Sequence, residues 1–128
     1  MSLLVDTHIL LRSAYQPEQL SPETARLLDD PDAIVWFSVA SVWEVTIKRA
    51  LGRPDFTVDP RHLREGLLRH RRREPAATGE HALAAGDLPP LHKDPFDRLL
   101  LAQAQVEGLT LLTADERVAA YGGRARRA

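Results

Sequence analysis

Carboxylate side chains are the groups in this chain best suited to metal-assisted chemistry. Five of them lie in four short segments, at the beginnings of predicted helices or inside one: Asp6, Glu44, Asp94 with Asp97, and Asp115. Carboxylates that converge would repel one another, and a hard divalent cation such as Mg²⁺ or Mn²⁺ relieves that repulsion. A bound ion of this kind lowers the pKa of its water and neutralises charge that develops on a phosphodiester. The chemistry predicted for converging acids is therefore hydrolysis of a nucleic-acid backbone by a metal-activated water.

Most of these acids also have an ordinary structural explanation. Asp6, Asp94 and Asp115 can each be the N-cap of a helix, a role that contributes about 1 kcal/mol. Asp97 would lie in the first turn of a helix capped by Asp94, where the helix dipole favours a negative charge. Taken one at a time, these four residues do not require a function.

Glu44 is harder to explain by local structure. It lies in the middle of a helix predicted from Ser38 to about Leu51, at the edge of an apolar stripe, so capping does not apply. An ion pair with Lys48, four residues later, would contribute only about 0.2–0.5 kcal/mol. Because partial burial of a carboxylate is costly without a positive partner, a metal ion or an arginine is expected near Glu44.

Other ligand and nucleophile types are scarce. The chain has no cysteine, which excludes thiolate zinc sites, iron–sulfur clusters and a cysteine nucleophile. None of the five histidines has the paired spacing of a helical zinc site, and most are best explained as surface or core residues. His8 and His92 stay candidates for contacts with substrate, because both lie near the predicted acidic edge. Accessory roles in orienting water or phosphate are predicted for Thr7, Ser38 and Thr113.

Basic residues are concentrated in one segment. Residues 48–73 contain nine lysines and arginines and three acids, a local charge of +6 within a chain whose net charge is −1. Such a segment can hold a polyanion through its phosphates. Phosphate contacts are therefore predicted for Arg71, Arg72 and Arg73, with a solvated helix face as the alternative explanation.

The elements that must carry these residues alternate between strands and helices. Wholly apolar or β-rich runs predict strands at residues 3–5, 34–37 and 109–113, and capping residues, prolines and glycines predict helices between them. Such strands are typical of a parallel sheet covered by helices on both faces, so the predicted fold class is α/β, a three-layer α/β/α fold with a short, mostly parallel sheet. Ligands of such sheets bind beyond the carboxyl ends of the strands, where Asp6, Ser38 and Asp115 are expected.

The size of the chain bounds its organisation. A length of 128 residues with 44% hydrophobic content predicts one domain that needs no disulfide. We assign this domain to residues 1–121 and interpret residues 122–128, which contain three arginines, as a frayed basic tail. A further strand at residues 72–77 is weakened by Pro75. No apolar run approaches the ~20 residues that a bilayer requires, so no membrane contact and a cytoplasmic location are expected.

Four segments together resemble the PIN domain family, and more closely the VapC-type toxins of bacterial type II toxin–antitoxin pairs. They are, in order, residues 4–11 (LVDTHILL), 38–48 (SVASVWEVTIK), 88–100 (LPPLHKDPFDRLL) and 108–115 (GLTLLTAD). Their order and spacing match over almost the whole chain. Residues 73–78 depart from the pattern, because they are less apolar than the family's usual central strand.

The resemblance implies a PIN-like fold and a Mg²⁺- or Mn²⁺-dependent endoribonuclease that cuts RNA. It implies that the acidic metal-binding quartet is Asp6, Glu44, Asp97 and Asp115. Asp97 matches the family's third acid better than Asp94, which is left as an accessory residue. The resemblance also implies a homodimer whose activity is held off by a cognate antitoxin protein, which inserts a peptide near the acidic groove.

Other activities fit the residues less well. An aspartyl phosphatase would need a second acid where His8 stands, and a receiver domain would need adjacent acids where Thr7 stands. A flap nuclease would need additional elements to grip a DNA junction. The remaining alternative is a PIN-like module that binds RNA or a protein without cleavage, and the presence of all four acids argues against it.

Overall fold

Four short strands form one parallel sheet in the computed structural model, which describes residues 1–128. In chain order they are β1 (Ser2–Val5), β2 (Ile34–Phe37), β3 (Thr110–Thr113) and β4 (Ala125–Arg127), and their spatial order is β2-β1-β3-β4. Strand β1 pairs with β2 on one side, with Leu4 opposite Trp36, and with β3 on the other, with Leu4 opposite Leu111. The three strands predicted from apolar runs and their parallel arrangement are confirmed.

Seven helices and one 3₁₀ turn connect and cover the strands. The helices are α1 (Thr7–Tyr15), α2 (Pro22–Asp29), α3 (Val39–Ala50), α4 (Pro60–Arg69), α5 (Gly79–Asp87), α6 (Pro95–Glu107) and α7 (Glu116–Ala119), and the 3₁₀ turn is Pro17–Gln19. Helix α6 ends at Gly108, which adopts the left-handed conformation with φ 69° that is typical of a glycine at a helix C-terminus. None of the helices combines the length and apolarity needed to cross a bilayer.

Alternate residues of the central strands face two separate cores, which makes the fold three-layered. Leu3 and Val5 of β1 pack with residues of α1 to α4, and Leu4 between them packs with residues of α6 and α7 and with Leu88, which follows α5. The same alternation separates Leu112 from Leu111 on β3. All five side chains are fully buried, as expected for strands covered on both faces.

The C-terminal segment corrects the prediction of a frayed tail. Residues Ala125–Arg127 form β4, an edge strand paired in parallel with β3. The Arg126 side chain also forms an ion pair with Glu23 on α2, with 2.6 Å between Nη2 and Oε1. Backbone pairing and this long-range contact order a segment whose composition resembles a solvated tail.

The segment at residues 72–77 contributes a single bridge to the sheet. Arg73 pairs in parallel with Trp36 at the outer side of β2, and its guanidinium lies 5.4 Å from the centroid of that tryptophan ring. The backbone of Arg73 donates to the Val35 carbonyl and accepts from the Phe37 amide. Pro75 follows two residues later, where the pairing has ended.

Candidate active site

The site lies where the parallel strands β1, β2 and β3 end and helices begin. Asp6 directly follows β1, Ser38 directly follows β2, and Asp115 comes two residues after β3. Each of these three residues is the N-cap of the next helix, so the capping explanation considered for the two acids is correct. Capping accounts for one hydrogen bond of each side chain. The other contacts of these side chains determine how they are oriented in the site.

Asp6 is held by more donors than a cap requires. Its side chain is buried, with the residue 3% exposed. One oxygen, Oδ1, accepts from the Ile9 amide at 2.8 Å. The other, Oδ2, accepts from the Thr113 hydroxyl at 2.7 Å and from the Ala114 amide at 2.9 Å. The Thr113 oxygen in turn accepts from the Asp115 amide at 3.1 Å, so one hydroxyl links two of the predicted acids.

Glu44 reaches the same edge from the middle of α3. The residue is 7% exposed, and its Oε1 accepts a hydrogen bond from the Thr7 hydroxyl at 2.8 Å. The hydroxyl of Ser41 lies 2.9 Å from that of Thr7. Since Thr7 has one hydroxyl proton and an ionised carboxylate can only accept, Ser41 donates to Thr7 and Thr7 donates to Glu44. The arginine considered as a partner of Glu44 is not found, and the side chain paired with Glu44 is that of Lys48, with Nζ 3.0 Å from Oε2.

Asp97 lies in the first turn of α6 and contacts a buried histidine. The Nε2 atom of His92 is 2.7 Å from Oδ2 of Asp97, and the His92 residue is 7% exposed. The Asp97 amide donates to Oδ1 of Asp94, which is the N-cap of α6. Burial raises the pKa of Asp97. The hydrogen bond and charge of His92 oppose that increase, and the negative charges of Asp94 and Glu44 add to it.

Asp115 is the most exposed member of the group and contacts an arginine. Arg117 donates to the Asp115 carboxylate from its backbone amide at 2.8 Å and from Nη2 at 3.2 Å. Burial raises the pKa of Asp115, but the hydrogen bonds and charge of Arg117, with a smaller effect of His92, outweigh it. The pKa of Asp115 therefore lies below its ordinary value.

Two of these carboxylates, Asp97 and Asp115, are close enough to share one cation, and His92 lies beside them. Ligand atoms of His92, Asp97 and Asp115 all lie within 4.8 Å of one another. Asp97 also experiences the charge of Glu44 across the site. Carboxylate oxygens gathered at one edge, with the pKa of one of them raised by burial and further by like charges, form a donor set that fits a hard divalent ion.

The residues predicted to contact substrate or its phosphates lie in several places outside the group of four acids. His8 is exposed on α1 and lies beside Asp115 in an open depression of about 580 Å³. His92 is buried instead of facing solvent. Arg71, Arg72 and Arg73 follow α4 and make no hydrogen bond or ion pair with the four acids, and Arg71 has a left-handed φ of 63°.

Two residues that the sequence patterns did not predict, Gln103 and Arg98, contact parts of the site. The buried side chain of Gln103 on α6 lies within hydrogen-bond distance of Ser38, which also caps α3. Arg98 orders the loop before α6 through hydrogen bonds to five acceptors: the carbonyls of Ala85, Leu88, Pro89 and His92 and the hydroxyl of Tyr121. The signal for Arg98 in the sequence is its place in the segment 88–100, which resembles the PIN family, directly after Asp97.

Comparison with known proteins identifies the family to which this fold belongs. A sequence model of the PIN domain matches residues 3–124. No curated protein sequence matches the chain. Among solved structures, VapBC2 from Rickettsia felis bound to a DNA fragment from their promoter is similar, with a TM-score of 0.70 and 14% identity over 99% of this chain and 98% of that one. VapBC-1 from nontypeable Haemophilus influenzae gives a TM-score of 0.66 and 17% identity over 100% and 97% of the two chains. A toxin–antitoxin complex from Klebsiella pneumoniae gives 0.64 and 19% over 97% and 95%.

Proposed function

Because this chain belongs to the PIN domain family, matching the family over residues 3–124, we propose that it is a metal-dependent endoribonuclease and the VapC-type toxin of a toxin–antitoxin pair. The observation that carries the proposal is the convergence of acidic side chains at the carboxyl edge of the sheet. Asp97 and Asp115 have ligand atoms within 4.8 Å of His92. Asp6 is linked to Asp115 through Thr113, and Glu44 is linked to α1 through Thr7.

In this proposal Asp6, Glu44, Asp97 and Asp115 hold Mg²⁺ or Mn²⁺. The chemistry that such an ion supplies when bound is activation of water and neutralisation of charge on the phosphate. Thr113 and Thr7 keep the carboxylates of Asp6 and Glu44 in fixed orientations through the hydrogen bonds at 2.7 and 2.8 Å. Asp94 acts indirectly, because it caps α6 and thereby fixes the backbone of Asp97.

RNA is proposed to reach this edge across basic residues on either side. His8 lies in the open depression next to Asp115, together with Arg12, Arg117 and Arg127. Arg71, Arg72 and Arg73 are the proposed contacts for more distant phosphates. If these three contribute, replacing them together with alanine reduces the salt dependence of RNA binding by up to about 2 in the log–log slope, at roughly 0.7 per phosphate contact with a single strand.

The proposed partners are a cognate antitoxin and a second copy of the chain. The antitoxin is proposed because similar structures are of a toxin–antitoxin complex and of VapBC proteins. The homodimer is proposed because α3 and its C-cap residue expose an apolar stripe with one residue every fourth position: Val39 at 40%, Trp43 at 60%, Ile47 at 38% and Leu51 at 64%. An apolar helix face of this kind can pair with its own copy across a two-fold axis.

The test of the activity is RNA cleavage by the purified protein with Mg²⁺ or Mn²⁺, with and without a chelator. Asp6→Asn and Glu44→Gln are expected to abolish cleavage and keep the fold, measured by circular dichroism. Glu65→Gln changes an exposed acid on α4 in the same chemical way and is expected to cleave normally. Cleavage that persists in the Asp6 and Glu44 variants would refute the site, and RNA binding without cleavage by the wild type would favour the binding module.

A further inference from the structure

His92 occupies a position that suits neither a surface residue nor an ordinary core residue. It lies in the loop between α5 and α6, and both the amide and the carbonyl of its backbone form hydrogen bonds. The amide of His92 donates to the Tyr121 hydroxyl at 3.1 Å, and its carbonyl accepts from Nη1 of Arg98 at 3.1 Å. These contacts bring the imidazole into the site and bury it.

The direction of the hydrogen bond to Asp97 defines what the imidazole can do. An ionised carboxylate can only accept, so at 2.7 Å the proton must be on Nε2 of His92. A nitrogen that carries this proton has no lone pair for a metal ion. The Nε2 atom is also 3.9 Å from Oδ2 of Asp115, beyond hydrogen-bond distance. His92 therefore acts on the site through Asp97.

Asp97 needs such a partner. Its backbone is fixed by the Asp94 cap, but its carboxylate faces like charges from Asp94 and Glu44. The side chain is 21% exposed, so rotation toward solvent would separate it from those charges. A donor on Oδ2 opposes that rotation and leaves Oδ1 available to a ligand.

We propose that His92 is a positioning residue that holds the Asp97 carboxylate toward the divalent cation through its Nε2–H donor. The inference rests on the proposed function, since it assumes that Asp97 is a metal ligand. Hydrogen-bonding partners of metal ligands typically change metal affinity by 10- to 100-fold when they are removed. The affinity for Mn²⁺ is therefore the quantity that His92 controls.

The experiment measures Mn²⁺ binding to the full chain by calorimetry, alongside the thermal stability of the metal-free protein. His92→Ala is expected to weaken Mn²⁺ binding by about 10- to 100-fold. His92→Gln is expected to restore most of the affinity, because its amide N–H can reach the position of Nε2. His92→Asn has a side chain one bond shorter, so it is expected to bind as weakly as the alanine variant.

A second buried histidine provides a matched control. His81 is 2% exposed, and its Nε2 lies 2.8 Å from Oε1 of Glu107, in a bond of the same kind that is not part of the acidic site. His81→Ala is expected to lower thermal stability while leaving Mn²⁺ affinity unchanged. This variant separates a loss of general stability from a loss at the site.

The outcomes distinguish this inference from the proposed function. Wild-type affinity in His92→Ala, or equal affinity in the glutamine and asparagine variants, would overturn the role of His92 even if the protein cuts RNA. If instead the wild type binds Mn²⁺ with the expected order of variants but does not cut RNA, the role of His92 stands and the proposed activity fails. If His92→Ala does not fold, the comparison of glutamine with asparagine decides the question. Absence of Mn²⁺ binding to the wild type would overturn both.

Discussion

Replacing Thr113 with valine should remove the hydrogen bonds that link Asp6 to Asp115, while the volume of the side chain stays almost constant. The Thr113 hydroxyl donates to Oδ2 of Asp6 at 2.7 Å and accepts from the amide of Asp115 at 3.1 Å. The residue is 1% exposed, so water cannot replace the lost contacts. Valine has nearly the same shape, and no cavity forms.

The expected cost follows from these two contacts. A hydrogen bond to a charged group contributes about 1.5–3 kcal/mol, and an amide left without a partner costs about 1–3 kcal/mol. Valine and threonine are both favoured in strands, so the difference in strand propensity is small beside these costs. We expect the free energy of unfolding to fall by about 3 kcal/mol, which for a domain of this size lowers Tm by roughly 9–15 °C.

The assay is urea denaturation of the metal-free protein, followed by Mn²⁺ titration of the folded variant. Thr113→Ser keeps the hydroxyl and loses one methyl group, so it should lose only about 1 kcal/mol and keep the metal affinity. Thr110→Val is the matched control, because Thr110 begins the same strand and its side chain forms no hydrogen bond. The reasoning is refuted if Thr113→Val is as stable as Thr110→Val, or if serine is as damaging as valine.

Three further predictions concern charge and assembly. The pKa of Asp97 is raised in the folded protein, so a proton binds more tightly there than in the unfolded chain, and stability falls as the pH rises above 3.8. Asp97→Asn should therefore raise the neutral-pH Tm of the metal-free protein while abolishing cleavage. A lower Tm in this variant would contradict the argument. Because the pKa of Asp115 is lowered in the folded protein, its contribution to folding stability is present above pH 3.8 and is lost as the pH falls. Arg117→Ala should reduce the decrease in Tm between neutral and acidic pH. An unchanged dependence of Tm on pH would exclude a contribution of this contact. Trp43→Glu should convert a dimer to a monomer in light scattering, whereas Leu83→Glu, at a side chain that is 75% exposed on α5, should not; a dimer that persists in the Trp43 variant argues against the α3 stripe.

Much of the architecture follows from local sequence features. Apolar runs such as residues 3–5 can only be buried on both faces, and that condition leads to a parallel sheet between layers of helices. Parallel strands put their carboxyl ends at one edge, so the positions of Asp6 and Asp115 were predictable from the strands that precede them. The capping roles of both residues were equally predictable, because a cap depends on residues three or fewer positions away.

The order of the C-terminal segment and the role of His92 depended on contacts between distant parts of the chain. Residues 125–127 carry two arginines and no apolar pattern, and they become a strand because the outer side of β3 offers unpaired backbone groups. His92 has no capping or periodic signal, and its place is decided by Tyr121, which lies 29 residues away, and by Arg98. Apart from β4, sequence patterns therefore determined which residues form strands, helices and caps, since these depend on neighbours along the chain. The tertiary structure alone decided which distant donor meets which carboxylate, because hydrogen bonds between separate elements depend on how those elements pack.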